Sequence, residues 1–342
     1  MKGIEMNEWA ASIDEALAGY RLSAPVRATS LVSLSENATY VVDLADDSTV
    51  VVRLHRPGFR SPREIRSELS WITALRCEDV VRTPAIIPDG VGQNLHQFTV
   101  QGQDRYAVMF EFVEGSSPTI DDDAALIDNF ANIGAISRQL HNHVRTWSAP
   151  QDFTRVTWSP EYILGLKNPS WEPWRLNPEV TRQTAERLEE VEAHALVTLH
   201  RYRMRHPDRF GLIHTDLRTT NLIVHQGHTT ILDFDDCGFG FPMWDLAGAL
   251  SFIEAEPVVP HLVAAWLRGY GGVDADDLAT IPALIIMRRL QLVGWMNTRQ
   301  GTPEHEQMVG VYVPETERIG ADFLRGTYAL TDAGVRLRPA VI

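Results

Sequence analysis

Residues 210–241, FGLIHTDLRTTNLIVHQGHTTILDFDDCGFGF, carry two short apolar runs, 222–224 and 229–232, on either side of a turn that contains Gly227. Runs of this kind around a glycine turn read as a β-hairpin, which is expected to gather His214, Asp216, Asn221 and Asp233 around one cleft. His214, Asp216 and Asn221 stand at the spacing H-x-D-x-x-x-x-N. In phosphoryl transfer a loop of this form supplies a carboxylate that accepts the acceptor hydroxyl's proton and, five residues on, an amide oxygen that helps hold a metal ion. Asp216 takes the first role and Asn221 the second. Asp233 ends the second strand, where a carboxylate is well placed to bind Mg2+ bridging nucleotide phosphates. It is the main expected metal ligand.

The sequel Phe234-Asp235-Asp236-Cys237-Gly238 resembles the D-F-G element of kinases, with Asp235 where the glycine would stand. Together with Pro242 and Asp245-Leu246-Ala247, these motifs resemble the aminoglycoside phosphotransferase and choline kinase superfamily, most of all its homoserine-kinase-like and stress response serine/threonine kinase branch. The resemblance covers residues 27–295 and is stronger in the C-terminal half. It implies an α+β, bilobal protein-kinase-like fold. Residues 1–113 would form an N-lobe of antiparallel sheet plus helix that covers the nucleotide; residues 114–342 would form a larger, mainly helical C-lobe with the catalytic hairpin 210–241 and an acceptor-binding insert near 148–178. It also implies ATP and Mg2+. The expected activity is transfer of the γ-phosphoryl group to a small-molecule hydroxyl on an amino alcohol, a homoserine-like or choline-like compound or an aminoglycoside. A protein serine/threonine substrate and a non-catalytic nucleotide-binding regulator are the alternatives.

Composition bounds these readings. A chain of 342 residues, 44% hydrophobic, is long enough for two cores. It has no apolar run of 18 residues, and its N-terminus carries acids where a secretory signal needs an apolar core, so no membrane span and a cytoplasmic location are expected. Cys77 and Cys237 alone make neither a disulfide scaffold nor a four-ligand zinc site. Lysine plus arginine number 31 against 45 aspartate plus glutamate, a formal charge of -14 that argues against nucleic acid or anionic membrane as partner. Most of this excess reads as solvated surface; where it lines the acceptor cleft it favours a cationic substrate. Oligomeric state is not legible.

In the N-terminal part, apolar residues at helical spacing mark 7–19, and β-branched runs at 26–34, 39–44 and 49–54 make an antiparallel meander. The resemblance puts the phosphate-covering loop at 34–39, where Ser35 and Asn37 stand without any glycine. It also puts a phosphate-holding cation at Arg53, where protein kinases have lysine; arginine keeps the charge but offers a different, forked geometry. Its expected partner is Glu68, with Glu64 second, on a helix that starts at Ser61-Pro62 and carries Ile65, Leu69, Ile72 and Leu75 inward. Further strands are expected at 85–87, 97–100 and 106–112. By resemblance, Glu111, Phe112 and Val113 lie against the adenine.

From residue 121 the pattern is helical: 121–147, 178–206, a helix opening at 241–247, then 260–270, 276–300 and 302–324, with a loose tail from 327. His141 and His143 diverge on a helix and read as structural. Trp171 and Trp174 lie in a tryptophan- and proline-rich segment without periodicity; they either hold an ammonium by cation-π contact or pack the insert. Asp245 braces the catalytic loop in the family. His214 fixes that loop, Arg218 inside it offsets charge at the γ-phosphate, and Asp235 or Asp236 binds the acceptor or a second metal. Arg289 and Trp295 reach the acceptor cleft or belong to core and rim.

Overall fold

A computed structural model of the chain describes residues 6–119, 122–167, 170–300 and 302–328. It has an antiparallel-sheet N-terminal region and a helical C-terminal region, the expected α+β class. The chain divides into two compact units, one made of residues 1–116, 148–155 and 223–235, the other of 117–147, 156–222 and 236–342.

The first unit opens with α1 (Met6–Leu17), followed by β1 (Val26–Leu34), β2 (Ala38–Leu44) and β3 (Thr49–Leu54). After α2 (Pro62–Cys77) come β4 (Ile86–Ile87), β5 (His96–Val100) and β6 (Gln103–Glu111). The sheet runs β1-β2-β3-β6-β4, with β5 also paired to β6, and every pairing is antiparallel. Strand β2 alternates buried and half-buried residues, as a sheet with one face on a core requires. Trp9, Ile13, Leu17 and Tyr20 fill that face against Tyr40, Val42, Val52 and Met109. Ser61 starts α2 through a capping box: its hydroxyl accepts from the Glu64 amide, and the Glu64 carboxylate accepts from the Ser61 amide at 2.9 Å. Pro62 follows at the first helical position, where its missing N–H costs nothing.

The second unit contains α3 (Asp123–Val144), α4 (Pro160–Ile163), α5 (Arg182–Arg205) and the short strand β7 (Gly211–Ile213). The expected hairpin is β8 (Leu222–His225) and β9 (His228–Ile231), turning through Gln226 at φ 48° and Gly227 at φ 77°. Two successive positive φ values make a turn whose twist matches the strands it joins. Residues 223–235 of this hairpin group with the first unit, where the Ile231 amide donates to the Arg82 carbonyl at 2.8 Å. Strand β10 (Gly238–Gly240) pairs with β7, and α6 (Trp244–Ala249), α7 (Val259–Tyr270) and α8 (Ala275–Asn297) follow.

The one helix expected over 302–324 is two, α9 (Pro303–Met308) and α10 (Tyr312–Arg325), because Gly310 adopts φ 76° and breaks the helical path. Among the described residues one helix, α8, is long and apolar enough to cross a membrane, and 83% of its most apolar window is buried inside the protein. The tail expected from 327 lies almost wholly outside the described residues.

Candidate active site

In the second unit the loop that carries His214 and Asp216 leaves β7 and is held by one carboxylate. Asp245, fully buried in the first turn of α6, accepts from the Thr215 amide at 2.6 Å and the His214 amide at 3.4 Å. His141 binds it through Nε2 at 2.9 Å and is itself fixed by the Tyr270 hydroxyl at 2.9 Å. These bonds matter because Thr215 sits at φ 75°, a conformation that costs a β-branched residue about 1–3 kcal/mol and persists only when neighbours over-determine it. The Thr215 hydroxyl donates to the Asp236 carbonyl at 2.9 Å, and Gly248 approaches the Thr215 carbonyl so closely that no Cβ fits. His214 is buried with the loop it belongs to.

The Asp216 carboxylate emerges from this brace with its side chain 14% exposed. Arg288 Nη2 donates to Oδ1 at 2.5 Å, Asn221 Nδ2 to Oδ2 at 3.0 Å, and Arg218 Nε lies 3.2 Å from both oxygens. Burial pushes the carboxyl up, but Arg218, Arg288 and His214 outweigh it and hold Asp216 down to about 2. Asn221 Nδ2 also donates to the Asp216 carbonyl at 2.8 Å, so the amide is oriented with its oxygen turned the other way. Asp216, Arg218 and Asn221, read from the motif, thus come together. Arg288 joins them from α8 without any motif to announce it. Its neighbour Arg289, read as reaching the cleft or belonging to the core, is a core residue, fully buried on Glu254, Thr316 and the Tyr312 carbonyl. Trp295 is half-buried, 6.0 Å from the ring of Phe252, over which Arg218 lies at 5.7 Å.

In the first unit Arg53, near the end of β3, donates to Glu68 Oε1 at 2.6 Å, and Glu68 is fully buried on the inner face of α2. Glu64 is spent on the capping box. Burial works against the Arg53 charge, but Glu68, Asp235 and Asp233 outweigh it and raise its pKa further. Phe110 lies under the guanidinium at 5.5 Å. Asp233 stands at φ 54° with its carboxylate 54% exposed, 3.4 Å from Arg53 Nη1. Phe234 behind it is buried edge-on against Trp71 at 5.4 Å, which anchors the turn.

Asp235 is buried rather than open to a ligand. Its burial favours the neutral acid, yet Arg60 and Arg53 prevail and hold it down to about 2. Arg155 ties the same corner by donating to the Asp235 and Glu64 carbonyls. Buried beside them, His55 is driven down to about 3 by burial and by Arg53, so its ring is neutral. His55, Arg60 and Arg155 were invisible to motif reading, since nothing in their spacing links them to the hairpin.

Other expected site residues fall variously. Ser35 is exposed and its amide donates to the Asn37 carbonyl at 3.0 Å, while the Asn37 side chain is buried and accepts from the Arg56 amide. Glu111 and Phe112 are exposed and Val113 half-buried where β6 ends. The Asp236 carbonyl takes the Trp158 indole N–H at 3.0 Å, leaving a half-buried carboxylate. Trp171 and Trp174 are core residues: their indole N–H groups go to the Ile163 carbonyl and to Glu192, and Trp171 packs on Trp158 and Tyr162. Trp171 is enclosed by other rings and the face of Trp174 already carries the Arg175 guanidinium at 4.3 Å, so both stand as packing residues, the other of the two alternatives.

Asn221 carries an amide oxygen and Asp233 a carboxylate oxygen, each a hard donor of the kind Mg2+ takes.

Residues 28–283 match the model of the phosphotransferase enzyme family, APH. Among solved structures, a microcompartment-associated aminopropanol kinase is 32% identical, with a TM-score of 0.82 over 94% of this chain and 99% of that one. An amicoumacin kinase solved with AMP-PNP and Ca2+ is 21% identical, with a TM-score of 0.73 over 92% of this chain and 96% of that one. The amicoumacin kinase of Bacillus subtilis (strain 168) is 23% identical over 53% of this chain and 56% of its own length.

Proposed function

Because the chain belongs to the phosphotransferase enzyme family and is an ATP-dependent phosphotransferase, we propose that it phosphorylates the hydroxyl of a small amino alcohol. The observation that carries the acceptor class is the likeness to the aminopropanol kinase, which runs the length of both chains. The excess of acid over base in the sequence supports a cationic acceptor.

The residues divide the work as follows. Arg53, braced by Glu68, holds the α- and β-phosphates through its fork of donors. The chain at Glu111, Phe112 and Val113 reads the adenine edge through main-chain groups, and the turn at Ser35 and Asn37 covers the phosphates. Asn221 and Asp233 are the residues that would hold Mg2+, which would supply charge to offset that of the nucleotide phosphates. Asp216 orients the acceptor hydroxyl and takes its proton while the hydroxyl oxygen bonds to the γ-phosphorus and the bond to the β-phosphate oxygen breaks, releasing ADP. Arg218 offsets charge on the transferring group. His214 and Asp245 keep the loop in place.

The test is Mg2+-dependent ATP consumption with aminopropanol, ethanolamine, choline, homoserine, an aminoglycoside and a generic protein offered separately, run beside Asp216→Asn. Stimulation by amino alcohols, lost in the variant, is expected. Stimulation by the protein or the aminoglycoside alone would overturn the acceptor class, and activity that survives Asp216→Asn would overturn the role of Asp216.

A further inference from the structure

We infer that Arg288 is a positioning residue for the reaction, fixing the Asp216 carboxylate in the orientation that receives the acceptor hydroxyl. The inference rests on the assignment of Asp216 as the proton-accepting group. Arg288 lies 72 positions along the chain from Asp216, in the middle of α8, and is 4% exposed. All three of its donor nitrogens are engaged: Nη2 with Asp216 Oδ1 at 2.5 Å, Nε with the Ser251 hydroxyl at 2.8 Å and Nη1 with Gln291 Oε1 at 2.9 Å. Ser251 is itself fixed, donating to the Gly248 carbonyl at 2.6 Å, and Gly248 is the residue that abuts the Thr215 carbonyl. The guanidinium is therefore locked to the same short segment that supports the catalytic loop.

Arg218 contrasts with it. Its side chain is 30% exposed and sits 3.2 Å from both carboxylate oxygens, a longer and more open contact than that of Arg288. A carboxylate offers about four lone-pair positions; Arg288 and Asn221 take one on each oxygen. The acceptor hydroxyl then enters on the side where Arg218 lies, and Arg218 yields while Arg288 stays. Preorganisation of this kind matters because a misplacement of about 1 Å in a reacting group costs on the order of a hundredfold in rate.

The experiment measures kcat, KM for ATP, KM for the acceptor and Tm in Arg288→Gln, Arg288→Lys and Arg288→Ala, with Asp216→Asn alongside. Arg288→Gln is expected to lower kcat about a hundredfold with KM for ATP changed less than about twofold. Arg288→Lys keeps a charge but cannot span three partners, so it is expected to recover little of the rate. Guanidinium ion added at millimolar concentration is expected to restore part of the rate to Arg288→Ala and none to Asp216→Asn. Should Arg288→Gln lower Tm below the assay temperature, the lysine variant and the guanidinium rescue carry the test. Lysine restoring kcat to within about threefold would reduce the role to charge alone and overturn the inference. So would a kcat unchanged in Arg288→Gln while Asp216→Asn is inactive, whereas activity in Asp216→Asn would instead remove the reading on which the inference stands.

Discussion

Each unit contains a buried arginine bound to a carboxylate, and the two pairs are built in opposite senses. In the first unit Glu68 is wholly buried and makes its bond to Arg53, whose side chain keeps 8% exposure and whose other nitrogen faces Asp233. There the acid serves the base. In the second, Arg288 is the deeper partner at 5% and Asp216 the more open one at 14%. There the base serves the acid. The member nearer solvent is the one whose chemistry a phosphoryl transfer needs, a phosphate-binding cation in one case and a proton acceptor in the other. The deeper member is the brace, and a charge buried without its partner is far more costly than one left near water.

This difference can be broken by removing one member at a time. The largest effect is expected from Asp216→Asn, which keeps the shape of the working group and removes its basicity: kcat should fall about a thousandfold with Tm moved by little. A fall of less than about tenfold would mean that Asp216 does not take the proton. Glu68→Ala removes a brace instead, leaving Arg53 with Asp233 at 3.4 Å and the field of Asp235, and should destabilise the protein in urea unfolding by up to about 3 kcal/mol. ATP affinity should drop with it. Were Glu68→Ala as stable as the parent, Asp235 and Asp233 would suffice to hold the arginine and the asymmetry between the pairs would fail.

The smallest effect concerns His55, beside the first pair. Its folded pKa of about 3 lies below its unfolded value near 6.5, so the unfolded chain binds the proton first as pH falls. The stability due to its burial is complete above pH 6.5 and is lost on descending toward pH 3. The loss is at most about 1.4 kcal/mol per pH unit. Between about pH 6.5 and 4, above the range in which Asp216 and Asp235 begin to contribute, His55→Phe should flatten the dependence of Tm on pH. An unchanged slope would assign the acid sensitivity elsewhere.

How much of this was readable in the sequence follows from distance along the chain. Asp216, Arg218 and Asn221 fall within six residues, and a loop that short leaves few conformations in which their side chains fail to meet. Arg53 and Glu68 were legible for a different reason: a β-strand end and an apolar helix stripe each assign a direction to a side chain. Arg288 had neither aid. Helix α8 is buried on nearly every face, so its apolar pattern does not say which residue looks toward the loop, and the adjacent Arg289, left open between cleft and core, faces α10. For Trp171 and Trp174 packing and ammonium binding both stayed open, because a segment without periodicity gives no sign of which aromatic rings are inside. Asp235 was ambiguous because its counter-charges, Arg60 and Arg155, come from distant segments of chain.

The hairpin that carries Asp233 has a consequence in time. The six-stranded sheet of the first unit is finished at Glu111, yet residues 223–235 also belong to that unit: the Ile231 amide donates to the Arg82 carbonyl, and Val224 and Ser116 exchange backbone bonds. A ribosome makes that sheet long before it makes the hairpin that completes the unit. If domains fold as they emerge, the six-stranded sheet can form while the unit still lacks its hairpin, which follows only after the ribosome has spelled out α3 and α5. A chain cut anywhere before residue 235 would therefore lack a piece of its own beginning.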